Sequence, residues 1–116
     1  MAAGIARAFA ARAGLEGEAA DRLIMVVEEW VANVVEHGGP QGGARIVLRF
    51  AWQNGVVRLT FSDAGRPFDP RLAPIAAPNH QRGGGAGLAL IDSLCRITTY
   101  TRRSGRNRVV LEMALE

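Results

Sequence analysis

Two apolar runs that alternate around Asn54-Gly55 constrain the fold of this chain more than any other feature. From about Arg45 to Trp52, the side chains of Ile46, Leu48, Phe50 and Trp52 fall on one face, and Val57, Leu59 and Phe61 repeat the pattern on the far side of the dipeptide. A period of two is that of a half-buried strand. Asn-Gly tolerates the two consecutive positive φ angles that a tight hairpin turn requires. The pattern therefore predicts an antiparallel hairpin with one face buried, ending at Ser62-Asp63. A second hairpin is expected from about Arg96 to Arg102 and Asn107 to Leu115, joined by Ser104-Gly105.

The helical signals lie outside these runs. From about Glu16 to His37, Leu23, Val27, Trp30, Val31 and Val34 form a stripe at three- and four-residue spacing, and Gly38-Gly39-Pro40 stops it. Ile5, Phe9 and Leu15 suit a shorter amphipathic helix that begins almost at Met1. A short apolar helix is expected from Ala86 to about Cys95. Between Ala64 and Gly85 no period can be defended, which leaves a loop of roughly twenty residues, long enough to suggest binding. Hairpin-joined strands with helices gathered on one side make a two-layer α/β sandwich, of the α+β kind, with a mainly antiparallel sheet. At 116 residues the chain suits one domain spanning 1–116.

Composition removes several chemistries. All 14 basic side chains are arginine, which excludes a Schiff-base lysine and the lysine of a Walker-type phosphate loop. The net charge of +3 is concentrated in Arg96, Arg102, Arg103, Arg106 and Arg108, a surface suited to anionic partners, although basic strand faces are commonly just solvated. No aromatic interleaving favours nucleic acid. The single Cys95 cannot form an internal disulfide and ends an apolar run, so it reads as an inert thiol in a reducing, cytoplasmic compartment.

Three groups could carry chemistry. Glu29 and Asn33 lie one helical turn apart, about 40° apart in projection, and are expected to point together off the core face, with Glu28 on the solvent side. A carboxylate can accept a proton and an amide oxygen is a hard ligand suited to Mg²⁺, yet Glu-x-x-x-Asn is also common on solvated helix faces. Asp63-Ala64-Gly65 ends a strand. An Asp there can accept a hydrogen bond from the amine of adenine while Gly65 lets the ring approach the backbone, but Asp-x-Gly is equally an ordinary turn. Gly83-Gly84-Gly85-Ala86-Gly87-Leu88 opens a helix, whose unpaired N–H groups favour phosphate, or it is a glycine linker.

In their order and spacing, VVEEWVANVVEHG, DAGRPFDP, GGGAGLALIDSL and GRNRVVLE resemble the Bergerat-fold ATP-binding domain shared by gyrase, histidine kinases and MutL, the GHKL group. Within it the chain looks most like the anti-sigma-factor serine kinases. The resemblance implies that Glu29 is the catalytic general base and Asn33 the Mg²⁺ ligand. By the same resemblance Asp63, with Gly65 beside it, would hold adenine, and Gly84, Gly85, Gly87 and Leu88 would wrap the triphosphate. Without lysine, a cation on the γ-phosphate would be Arg82 first and Arg66 second. His37 matches a frequent family position but suits a helix C-terminus for dipole reasons alone.

The activity implied is that of a serine/threonine protein kinase using Mg-ATP. Its partners would be an anti-anti-sigma (STAS) protein, which it phosphorylates, and a sigma factor, with no direct nucleic-acid or membrane contact. Relatives usually begin with a strand where this chain begins with a helix, so either the sheet is one strand short or the chain is a truncated or alternatively started version; in such relatives that edge can contribute to pairing, which leaves homodimer formation open. Two alternatives stand beside this reading: a nucleotide-binding regulatory module without transfer, and the ATP-binding domain of a histidine kinase.

Overall fold

The computed structural model of the chain describes residues 2–37, 46–72 and 86–114. Its elements are α1 (Ala2–Ala13), α2 (Gly17–His37), β1 (Val47–Gln53), β2 (Val56–Asp63), α3 (Ala86–Leu94), β3 (Arg96–Arg103) and β4 (Arg106–Ala114). Both hairpin turns place two successive residues at positive φ, which Asn54 and the two glycines accept readily. Asn54 and Gly55 have φ of 55° and 76°, and Ser104 and Gly105 have φ of 53° and 77°. Two successive positive φ values match the right-handed twist of the flanking strands. The strands pair antiparallel throughout in the order β1-β2-β4-β3. The central pair, β2 with β4, has no connecting turn, and its register sets Asp63 opposite Asn107.

One face of this sheet is the floor of the core. Val57, Leu59 and Met113 are fully buried and Phe61 and Val109 are 1% exposed, as alternation demands when one face is covered. From above, α2 contributes Leu23, Val26, Val27 and Trp30, and α3 contributes Ile91. The Trp30 ring tilts against Phe61 with centroids 5.9 Å apart. The opposite face carries Arg49, Arg58, Arg96 and Arg108 in water. There Glu112 accepts from Arg58 at 2.9 Å and from Arg96 at 3.2 Å. Hydrogen bonds from Arg58 and then Arg96 hold its carboxyl below the ordinary glutamate value.

The first helix departs from its expected stripe. Ile5 is 49% exposed, while Ala6 and Ala10 are buried in the core. Small side chains let α1 approach α2, against which it packs, and Phe9 is left to stack flat on Phe50 of β1 at 4.6 Å. A Schellman closure ends α1, with Leu15 N–H donating to Ala10 O at 2.8 Å and Gly14 N–H to Ala11 O at 3.3 Å. This geometry needs positive φ at Gly14, which has 76°. Leu15 then tucks against the core. Among the described residues no helix is long and apolar enough to cross a membrane.

Candidate nucleotide site

Three polar side chains are buried among the described residues: Asn33 at 5% exposure, Asp63 at 5% and Asn107 at 3%. All three line one small cavity, together with Trp30, Val34, Arg66 and Phe68. Three distant segments meet here. Asn33 comes from the last third of α2, Asp63 from the end of β2 and Asn107 from the start of β4. Polar side chains are rarely buried without a reason, so their convergence marks the site.

Asp63 and Asn107 are held in a dense set of hydrogen bonds. Asp63 Oδ1 accepts from the Gly65 backbone N–H at 2.8 Å and from Asn107 Nδ2 at 3.0 Å. The first bond makes a turn out of Asp63-Ala64-Gly65, as the turn reading of that motif expects. Asn107 Nδ2 also donates to Arg66 O at 2.7 Å and reaches Gly65 O at 3.4 Å. On its other side, Asn107 Oδ1 accepts from the Tyr100 hydroxyl and from Arg102 Nη1. Arg102 Nη1 also donates to Gly65 O at 2.9 Å, and Phe68 N–H donates to the Tyr100 oxygen at 3.3 Å. The segment from Asp63 to Phe68 is thereby fastened to β3 and β4. Sequence reasoning assigned no role to Asn107, Tyr100 or Arg102. Asn107 stood inside the GRNRVVLE stretch, but only the β2–β4 register reveals that it faces Asp63.

Asn33 behaves differently. Its Nδ2 is buried and has no hydrogen-bond partner among the described residues, and neither has Trp30 Nε1. An unsatisfied buried donor costs about 1–3 kcal/mol, a strain that a bound acceptor would relieve. The expectation that Asn33 points off the core face is corrected. It lies seven residues after the fully buried Val26, about 20° from it around the helix, and so falls within the buried arc. Glu29 lies at the margin of that arc, half-buried and engaged with a neighbour, and is absent from the residues lining the cavity. Asn33 and Glu29 thus share a side of α2, about 40° apart around it. Glu28 is exposed as expected.

The donor set suits a purine nucleotide, with a carboxylate and an amide facing one recess beside a glycine whose carbonyl is already held. Its size does not yet suit one. The cavity measures about 10 Å³, the space of a single water, so the Phe68 and Arg66 side must shift to admit a base. Among the described residues no group of three or more His, Cys, Asp or Glu side chains could hold a metal, so Mg²⁺ would rest on Asn33 and on phosphate oxygens. Gly84, Gly85 and Arg82 lie outside the described residues, as does the imidazole of His37. Gly87 and Leu88 fall in the first turn of α3, where backbone N–H groups are unpaired within the helix. Arg66 is exposed at the cavity rim.

Cys95 is a half-buried thiol. Its Sγ donates to Ile91 O at 3.1 Å, and burial, with Asp92 adding, pushes the thiol up to about 12.

This arrangement defines a two-layer α/β nucleotide-binding domain, with four antiparallel strands under helices and a polar recess where a strand end meets the long helix. The profile of the histidine kinase-like ATPase domain matches residues 1–113. The chain belongs to that family, whose domains bind ATP. Among solved structures, the histidine kinase domain of a blue-light-activated histidine kinase from Erythrobacter litoralis superposes with a TM-score of 0.56 at 24% identity, covering 84% of this chain and 45% of that one. Another structure of the Erythrobacter litoralis kinase gives 0.57 at 20% identity, with 97% and 40% covered. The catalytic domain of the histidine kinase ThkA gives 0.55 at 20% identity, with 82% and 67% covered. These likenesses establish the fold, and the chain spans under half the length of the first two structures. No curated protein matches the sequence.

Proposed function

We propose that the chain is the nucleotide-dependent part of a bacterial switch that moves the γ-phosphoryl group of Mg-ATP to a serine of an anti-anti-sigma (STAS) partner and sequesters a sigma factor in another state. One observation carries the nucleotide half of this reading: the three buried polar side chains, Asn33, Asp63 and Asn107, all line one recess. Asp63 would accept from the adenine amine, with Gly65 beside it. Asn33 would relieve its unpaired amide against the ligand and offer its oxygen to Mg²⁺. The metal would supply neutralisation of phosphate charge. The N–H groups at the start of α3 would face the phosphates, with Arg82 first and Arg66 second as the candidate cations. Glu29, one turn before Asn33, would hold the proton of the serine hydroxyl. The serine kinase reading is supported by the motif resemblance.

The test is incubation with γ-labelled ATP and candidate STAS proteins, comparing the wild type with Glu29→Ala. Label on a serine that disappears in the variant is the expected result. ATP binding with no transfer to any serine would leave a binding module that acts by protein contact alone. A second reading comes from the solved structures of similar fold, which are histidine kinases: the chain would serve as the ATP-binding part of such an enzyme. Acid-labile label on a histidine of another segment or chain would establish it in place of the serine reading.

A further inference from the structure

Asn107 meets two kinds of group that do not interchange. A guanidinium can only donate, so the Asn107 atom that Arg102 Nη1 touches at 2.9 Å is its oxygen. The Tyr100 hydroxyl donates to the same oxygen while its own oxygen accepts from Phe68 N–H. The amide is therefore fixed in one of its two orientations, and Nδ2 must face the Asp63 carboxylate, to whose Oδ1 it donates at 3.0 Å. Gly65 N–H meets that same oxygen. Among the described residues both bonds to Asp63 fall on Oδ1, which leaves Oδ2 as its open acceptor.

We propose that Arg102 and Tyr100, acting through Asn107, orient Asp63 so that the recess selects a purine bearing an amine at position 6 over one bearing a carbonyl. Asn107 is a positioning residue for base selectivity. The inference rests on the reading of Asp63 as the carboxylate that meets the base, and it adds the device that sets which face of that carboxylate is offered. An amine donates to Oδ2. A carbonyl at the same place sets two acceptors against each other, and a site built on a hydrogen bond to its ligand rejects the mismatched analogue. Were the Asn107 amide free to turn, its oxygen would face Asp63, and the carboxylate would swing to find another donor.

The experiment measures dissociation constants for ATP and for inosine triphosphate, which differ in the amine or carbonyl at position 6 and in the N1 proton that the carbonyl form bears, by calorimetry on the whole chain. The proteins compared are the wild type, Asn107→Leu and Arg102→Met, with thermal melting to verify folding. The wild type is expected to prefer ATP by about tenfold or more, the worth of one good hydrogen bond. Asn107→Leu should bring the two ligands within about threefold of each other, and Arg102→Met should narrow the ratio by a smaller factor, since Tyr100 still holds the amide. A merely structural role would weaken both ligands alike and leave the ratio unchanged, and that result overturns the inference while the ATP reading stands. Should Asn107→Leu fail to fold, the ratio in Arg102→Met decides. A wild type that binds both equally overturns this inference and the placing of the base at Asp63 while ATP binding stands, and one that binds neither overturns the ATP reading as well.

Discussion

The Asp63 corner and the groove between α1 and β1 are both places where a helix meets a strand end, yet they are built to opposite rules. The groove is far larger, about 520 Å³, and is lined by Ile5, Ala8, Phe9, Arg12, Ala13, Phe50 and Trp52. Its walls are mostly apolar and Arg12 is the one charged group among them. The corner holds about 10 Å³ and contains every buried polar side chain of the described residues. Size alone would rank them the wrong way round. Ligand sites are recognised by a few polar groups converging in a protected place, and such groups persist in a core only at a cost in stability. In the corner that cost is visible as the unpaired Asn33 amide. In the groove the cost is apolar exposure, with Ile5 at 49% and Trp52 at 52%.

The largest effect that separates the two regions is expected from Asn33→Leu. Replacing an unsatisfied buried amide by an apolar side chain of similar shape should raise stability by about 1 kcal/mol, whereas ATP affinity should fall by about a hundredfold or more. Denaturant melts and calorimetry would read the two together, and a variant that loses stability would show that the amide is satisfied after all. Asp63→Asn should weaken ATP by about tenfold and leave GTP unchanged, because the amide can present a donor where the carboxylate accepts. Equal losses for both nucleotides would mean that the base lies elsewhere.

In the groove, Phe9→Ala should cost about 1–2 kcal/mol of stability, less than for a fully buried ring because Phe9 is half-buried. Its ATP affinity should match the wild type, and any selective loss would connect the groove to the site. The smallest effect is expected on the open face of the sheet. Glu112→Gln should cost no more than about 1 kcal/mol at neutral pH, since its two arginines are exposed. The carboxyl of Glu112 is depressed in the folded state, so its contribution is present above the ordinary carboxylate value and is lost as pH falls through the depressed one. Melts of the two proteins should converge on acidification.

Much of this architecture was legible beforehand because it depends on local rules. Alternation identified the first hairpin and the Ser104-Gly105 dipeptide the second, and both turns carry two successive positive φ angles. The stripe from Leu23 to Val34 marked the buried side of α2, although Val26 was missing from it, and that gap sent Asn33 to the wrong side. In α1 the rule that large apolar residues are buried chose Ile5. Close packing of two helices chose Ala6 and Ala10 instead, because a small side chain lets two helices come nearer.

The sequence by itself determined the elements, the antiparallel character of the sheet and the residue types that suggest a nucleotide, since period, turn chemistry and motif order are properties of neighbouring residues. Tertiary structure alone decided that Asn107 would lie across from Asp63, that Tyr100 and Arg102 would lock it, and that Asn33 would be buried at the recess. Those facts depend on the register of two strands with no turn between them and on how α2 is rotated over the sheet. Both are set by the packing of the whole core.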